Sequence, residues 1–136
     1  MNILIIDAQG GGLGKQIVAS IKKAYPATEI TAVGTNSLAS SNMLKAGADH
    51  AATGENAVIV GCRKADIIIG PIGIVIADSM FGEVTPAMAV AVGQSNAKRL
   101  LIPINQCENI VLGASSLSVS DIIGQILQYL NEEINR

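Results

Sequence analysis

The chain has no tryptophan, one phenylalanine and two tyrosines among its 136 residues. Such a scarcity of rings leaves no platform on which the bases of a single strand would stack. Charge is also scarce. Charged residues make up 15% of the chain and the formal net charge is -2. The basic doublets Lys22–Lys23, Arg63–Lys64 and Lys98–Arg99 are scattered and form no stripe. A nucleic-acid partner is therefore not expected. Cys62 and Cys107 lack metal-ligand spacing, so reduced thiols are expected rather than a disulfide framework or a metal site. Long apolar runs are missing too. The longest, residues 67–77, lies between Asp66 and Asp78 and is broken by Gly70, Pro71 and Gly73. It falls short of a bilayer span. The opening "MNILIID" has neither a basic leader nor a small-residue cleavage site. No membrane partner and a cytoplasmic location are the expectations.

What the chain does have is aliphatic side chains. Hydrophobic residues reach 49%, too many for disorder, and the length suits one domain with a real core. Apolar runs alternate with helical patterns. Strands are expected at residues 2–7, 29–35, 49–53, 66–70 and 98–105, with a further one at 109–114. Helices are expected from Leu13 through Ile17 and Ile21, then at 37–47, 56–65, 85–97 and 118–134. Gly47 is a stop signal, and Thr85 before Pro86 is a start signal. Apolar strands alternating with helices imply an α/β fold: a doubly wound, mostly parallel sheet in a Rossmann-like three-layer αβα sandwich. Residues 71–84 fit either a buried helix or a strand followed by a loop.

In such sheets ligands bind outside the carboxyl ends of the strands. The stretch "DAQGGGLGKQIV", residues 7–18, stands at that place after the first strand. Gly10, Gly11, Gly12 and Gly14 allow close backbone approach, and the following helix turns its free N–H groups toward the loop. A phosphate suits that arrangement; a tight turn without ligand is the plain alternative. The ATP-binding pattern G-x-x-x-x-G-K-[ST] keeps Gly14 and Lys15 but meets Gln9 and Gln16 at its other two positions, so ATP hydrolysis is not expected. Lys15 either faces an anion or is simply solvated.

Gly12, Leu13 and Gly14, with the apolar pair that follows, resemble the nucleotide-binding turn of short-chain dehydrogenases, with Ala8 in place of the first glycine. The likeness covers only about the first 20 residues. The Tyr-x-x-x-Lys pair of those enzymes is absent, since Glu29 follows Tyr25 and Glu133 follows Tyr129 at that spacing. The acid expected to hold a ribose at the end of the second strand is absent as well; the chain there reads Thr35, Asn36, Ser37. Over nearly its whole length the chain resembles a bacterial family designated domain of unknown function 3842. The carrying stretches are "QGGGLGK", "GTNSLASSNMLKAGADHAATGENA", "ADIIIGPIGIVIADSMFGEVTPAMA" and "LLIPINQC". That resemblance implies a stand-alone Rossmann-like protein and no particular activity.

Other loops are expected at the same edge. They carry Thr35, Asn36 and Ser37 after the second strand, then Thr53, Glu55 and Asn56 after the third. Gly70, Pro71 and Gly73 follow the fourth, and Asn105 and Gln106 the fifth. With Asp7, Gln9, Gly10, Gly11, Gly12, Leu13, Gly14 and Lys15, the residues after the second, third and fourth strands form the candidate ligand-binding set. Asn36 and Asn56 fit helix caps equally well. Asp7 is suited to orient the turn or to hold a metal, and Asp78 and Glu83 come near only if residues 71–84 fold over the loop. His50 reads as structural or surface. The expected function is binding of a nucleotide, an NAD(P)-like dinucleotide or another phosphorylated small molecule. A small nucleotide-dependent enzyme and a ligand-free scaffold are the alternatives. Residues 71–97 are apolar on more than one helical face, which points to a homodimer. Ala87, Ala89 and Ala91 would allow close approach, and Met80, Phe81 and Met88 would supply contact.

Overall fold

The computed structural model describes residues 1–104, 108–114 and 117–136. Asn105, Gln106 and Cys107 lie outside the described residues. Five strands, β1 (Asn2–Asp7), β2 (Glu29–Gly34), β3 (His50–Thr53), β4 (Ile67–Pro71) and β5 (Lys98–Ile102), form one sheet in the order β3-β2-β1-β4-β5. All four pairings are parallel. The helices are α1 (Gly12–Ala24), α2 (Ser37–Lys45), α3 (Glu55–Lys64), α4 (Pro86–Gln94) and α5 (Val119–Ile134).

The central strands are aliphatic on both sides because both sides are covered. In β1, Ile3 and Ile5 turn toward a layer built from Ile17 and Ile21 of α1, Met43 of α2, and Ile126 and Leu130 of α5. The alternate residues Leu4 and Ile6 turn toward Val58 and Cys62 of α3 and Met88 and Val92 of α4. Each fully buried isoleucine contributes about 1.5–3 kcal/mol. The result is the expected doubly wound α/β sandwich. Its chain leaves β1 toward β2 and β3, then returns to the other side for β4 and β5. The carboxyl ends of β1 and β4 therefore flank the switch point of the topology.

Helix starts follow local chemistry. Asn36 caps α2 by accepting the Ala39 N–H at 2.9 Å, and Thr85 caps α4 by accepting that of Met88 at 3.2 Å. Ser118 and Asp121 form a capping box at α5. Asn56 is not a cap: α3 starts one residue earlier than expected, behind Gly54, whose φ of 100° a side chain would strain. The expected strand at 109–114 does not form. Ile110 and Leu112 are exposed there and Gly113 takes a left-handed turn, so no ladder reaches the segment. Beyond Pro71, the last residue of β4, residues 72–84 form neither the expected buried helix nor a further strand. A single 3₁₀ turn, Ile72–Val75, is followed by a strap of turns that leads into α4.

The placement of methionines corrects the interface expected from sequence. Met80 and Met88 are 1% and 4% exposed, filling the protein's own core, and so cannot face a second copy. Periodicity alone did not separate the inner from the outer face of a helix as uniformly apolar as α4. Met88→Lys should therefore lower stability by more than about 3 kcal/mol by burying an unpaired charge. Urea unfolding checks this; a native-like midpoint would refute the assignment of Met88 to the core.

Candidate functional site

The site grows out of the end of β1. Asp7 is buried, and its carboxylate is held by the backbone: Oδ1 accepts the Ala8 N–H at 2.8 Å and Oδ2 that of Gly14 at 2.7 Å. Burial raises its pKa above the ordinary 3.8, against the pull of those two amides, and the nearby charge of Glu83 adds to the rise. Asp7 thus orients the turn. The Gly11 N–H closes it on the Ala8 carbonyl at 3.0 Å. Gly11 has a φ of 72°, and a Cβ there would come within 2.8 Å of the Ala39 Cα, so both strain and contact with α2 require glycine. Gly14 lies equally tight, because a Cβ would meet Met43 and Asp7.

Gly10 and Gly12 differ. A Cβ at either meets nothing within 4 Å. Among the described residues, the amides of Gly10, Gly12 and Leu13 have no hydrogen-bond partner. The free donors of the loop are therefore the amides of Gly10, Gly12 and Leu13, since the Gly14 amide serves Asp7 and the Gly11 amide the Ala8 carbonyl. Lys15, on the first turn of α1, is exposed and forms no ion pair among the described residues.

The strap after β4 folds over this loop. Asp78, Met80 and Phe81 adopt positive φ of 63°, 56° and 59°, and Gly82 follows at 85°. Each left-handed non-glycine residue costs on the order of 1 kcal/mol or more, so other contacts must hold the strap. Met80 fills the space in front of Gly73, and the Ser79 hydroxyl donates to the Gly73 carbonyl at 2.6 Å. Glu83 supplies the rest. Its Oε1 accepts the Gln9 N–H at 2.9 Å, the Thr35 hydroxyl at 2.7 Å and the Asn36 Nδ2–H at 2.7 Å. Burial works against the Glu83 charge, but those three donors outweigh it and hold its pKa below the ordinary 4.5.

The structure thus joins Asp7, Gln9, Thr35 and Asn36 in one hydrogen-bonded cluster with Glu83. Asn36 caps α2, as expected, and its side-chain amide also donates to the Gln9 carbonyl at 2.8 Å. Glu83, weighed only as a possible visitor, is the centre of the cluster. Asn42 was not foreseen; from α2 it donates to the Gly10 carbonyl at 2.8 Å. Only the helical phase that brings Asn42 round to the loop reveals it, and sequence spacing carries no such signal. Ser37 begins α2 and is exposed. Thr53 turns to Ser40, 2.6 Å away, while Glu55 and Asn56 are exposed on α3; none of these three hydrogen-bonds to the glycine loop. Gly70, Pro71 and Gly73 are buried. Gly70 is needed where β4 approaches β1, since a Cβ would meet the Ile6 carbonyl oxygen, and Gly73 is covered by Met80. His50 pairs with Glu29 at 2.9 Å on the surface, at the start of β3.

A family model described as Domain of unknown function (DUF3842) matches residues 2–135. The chain belongs to that family. No curated protein matches it. Among solved structures, the chain is similar to a dodecameric FMN-dependent UbiX-like decarboxylase from Escherichia coli O157:H7, at 14% identity and a TM-score of 0.43. The match covers 98% of this chain and 94% of that one. For this DUF3842 member the fold assignment rests on its own strand order and register. Among the described residues, no group of three His, Cys, Asp or Glu is placed to hold a metal ion, and no helix is long and apolar enough to cross a membrane.

The two acids respond to pH in opposite senses. The depressed pKa of Glu83 means that its contribution to stability is present above about pH 4.5 and is lost as pH falls through the lower folded value. The raised pKa of Asp7 means that its contribution is present below 3.8 and is lost as pH rises through the higher folded value. Replacing Glu83 by Gln should therefore flatten the loss of stability on the acid side of about pH 4.5. Urea midpoints across the acid range test this; an acid limb as steep as that of the parent chain would show that Glu83 carries none of it.

Proposed function

We propose that the protein binds a phosphorylated small molecule, with a nucleotide or an NAD(P)-like dinucleotide as the preferred class, at the switch point of its sheet. The observation that carries this reading is the set of unpartnered amides at Gly10, Gly12 and Leu13. They stand at the N-terminus of a 13-residue helix, with open space in front of Gly10 and Gly12. Backbone donors and the positive end of the helix dipole favour an anion there. Lys15 supplies a cation on the same turn, where a basic side chain otherwise opposes the dipole. No reaction is assigned. Among the described residues neither Glu55 nor Asp78 has a side-chain hydrogen bond to the loop, and Asp7 already accepts two amides.

Two measurements test the reading. A native mass spectrum of protein purified without added ligand should show a bound species of nucleotide mass. Gly12→Val projects into the open space, so it should leave circular dichroism native while abolishing thermal stabilisation by ADP. In the parent chain that stabilisation should be about 5 °C or more at a hundredfold excess over Kd. An unchanged response in the variant would overturn the reading.

A second feature supports self-association. The outward side of α4 carries Ala87 and Val90, both exposed, and it borders Ile59 and Ala91 along a cleft of about 520 Å³ between α3 and α4, which Arg63, Gln94 and Asn96 line at its polar end. Phe81, 97% exposed, stands at the tip of the strap that leads into the same helix. A two-fold homodimer through this face would cover an apolar surface that the monomer leaves in water. Sedimentation equilibrium at micromolar concentration should give twice the chain mass of 14.0 kDa, reverting to 14.0 kDa on Val90→Lys. A parent chain that sediments as a monomer would refute the dimer.

A further inference from the structure

We propose that Glu83 is the ribose-recognising acid of this site, so that the ligand is a nucleoside phosphate with a free 2′-hydroxyl. This rests on the phosphate-binding reading above and names the ligand class within it. In doubly wound dinucleotide sites the acid that takes the 2′-hydroxyl stands at the end of the second strand. Here β2 ends in Gly34, and Thr35, Asn36 and Ser37 follow without an acid. The strap delivers one from elsewhere in the chain. Glu83, 48 residues beyond Thr35, sets its carboxylate against the Thr35 hydroxyl and the Asn36 amide at the end of β2. The same oxygen holds the Gln9 amide of the glycine loop. The carboxylate therefore stands at once beside the phosphate-binding loop and in the place of the missing acid.

Its two oxygens are unequal. Oε1 is saturated by three donors, which fix the position of the group. Oε2 accepts nothing among the described residues. An ionised carboxylate oxygen only accepts hydrogen bonds, so its complement is a donor such as a ribose hydroxyl. A 2′-phosphate in the same place would meet a like charge, and among the described residues no Arg or Lys hydrogen-bonds within the cluster to relieve it.

Calorimetric titration of the full chain with ADP, 2′-deoxy-ADP, NAD⁺, NADP⁺ and inorganic phosphate tests the assignment. ADP should bind about ten- to a hundredfold more tightly than 2′-deoxy-ADP, the worth of one hydrogen bond to a charged group. NAD⁺ should exceed NADP⁺ by a similar factor. Glu83→Gln keeps a carbonyl oxygen for the three donors but removes the charge, so NADP⁺ should gain at least about tenfold relative to NAD⁺. Equal binding of ADP and 2′-deoxy-ADP to the parent chain overturns the assignment and leaves the phosphate reading standing. So does binding of inorganic phosphate without any nucleotide, or an unchanged NADP⁺ to NAD⁺ ratio in the variant. If neither phosphate nor ADP binds, both readings fall. The comparison of ADP with its deoxy form needs no variant and decides the matter even if Glu83→Gln does not fold.

Discussion

A single carboxylate oxygen, Oε1 of Glu83, draws together a backbone amide after β1, a hydroxyl and an amide after β2, and the strap after β4. Three donors on one anionic acceptor make a charge-assisted contact, roughly twice as strong per bond as neutral ones. It is what makes an otherwise unfavourable strap acceptable. Three non-glycine residues in left-handed backbone would not persist there without contacts that over-determine them. Once the strap is down, Met80 is buried against Gly73 and the chain enters α4 in the phase that turns Met88 and Val92 inward.

Asp7 does complementary work underneath. By accepting the Ala8 and Gly14 amides it settles the loop without any ligand, at the cost of a buried charge whose protonation burial favours. The loop is thus divided. One side is closed by Asp7, Met43 and Ala39, where glycine is required by contact. The other side, at Gly10 and Gly12, is open and keeps its donors unspent.

The fold of this DUF3842 member was legible in its sequence because burial on two faces leaves a strong mark. Runs such as "NILIID" and "DIIIG" are what a parallel strand covered on both faces requires, and Leu13, Ile17 and Ile21 form the stripe that covers one of those faces. Caps at Asn36, Thr85 and Ser118 were equally local, because each is a side chain reaching an amide three residues on. The candidate site was half legible. Its position at the carboxyl edge and its glycine loop follow from topology. Its loops after β3 and β4 carry candidates that make no hydrogen bond to the glycine loop, and polar or glycine-rich turns look alike in sequence whether they face a ligand, solvent or a neighbouring strand.

What the sequence determined by itself is therefore what depends on neighbours along the chain: the alternation of strands and helices, the helix starts, and the glycine loop between β1 and α1. Tertiary structure alone decided which acid serves that loop, which glycines stay open and which methionines belong to the core. Glu83 reaches Thr35 across 48 residues, and Asn42 reaches Gly10 across 32. Contacts of that span leave no periodic trace in composition or spacing. They arise only when parallel pairing sets β1 beside β2 and β4, bringing the ends of distant segments to one edge of the sheet.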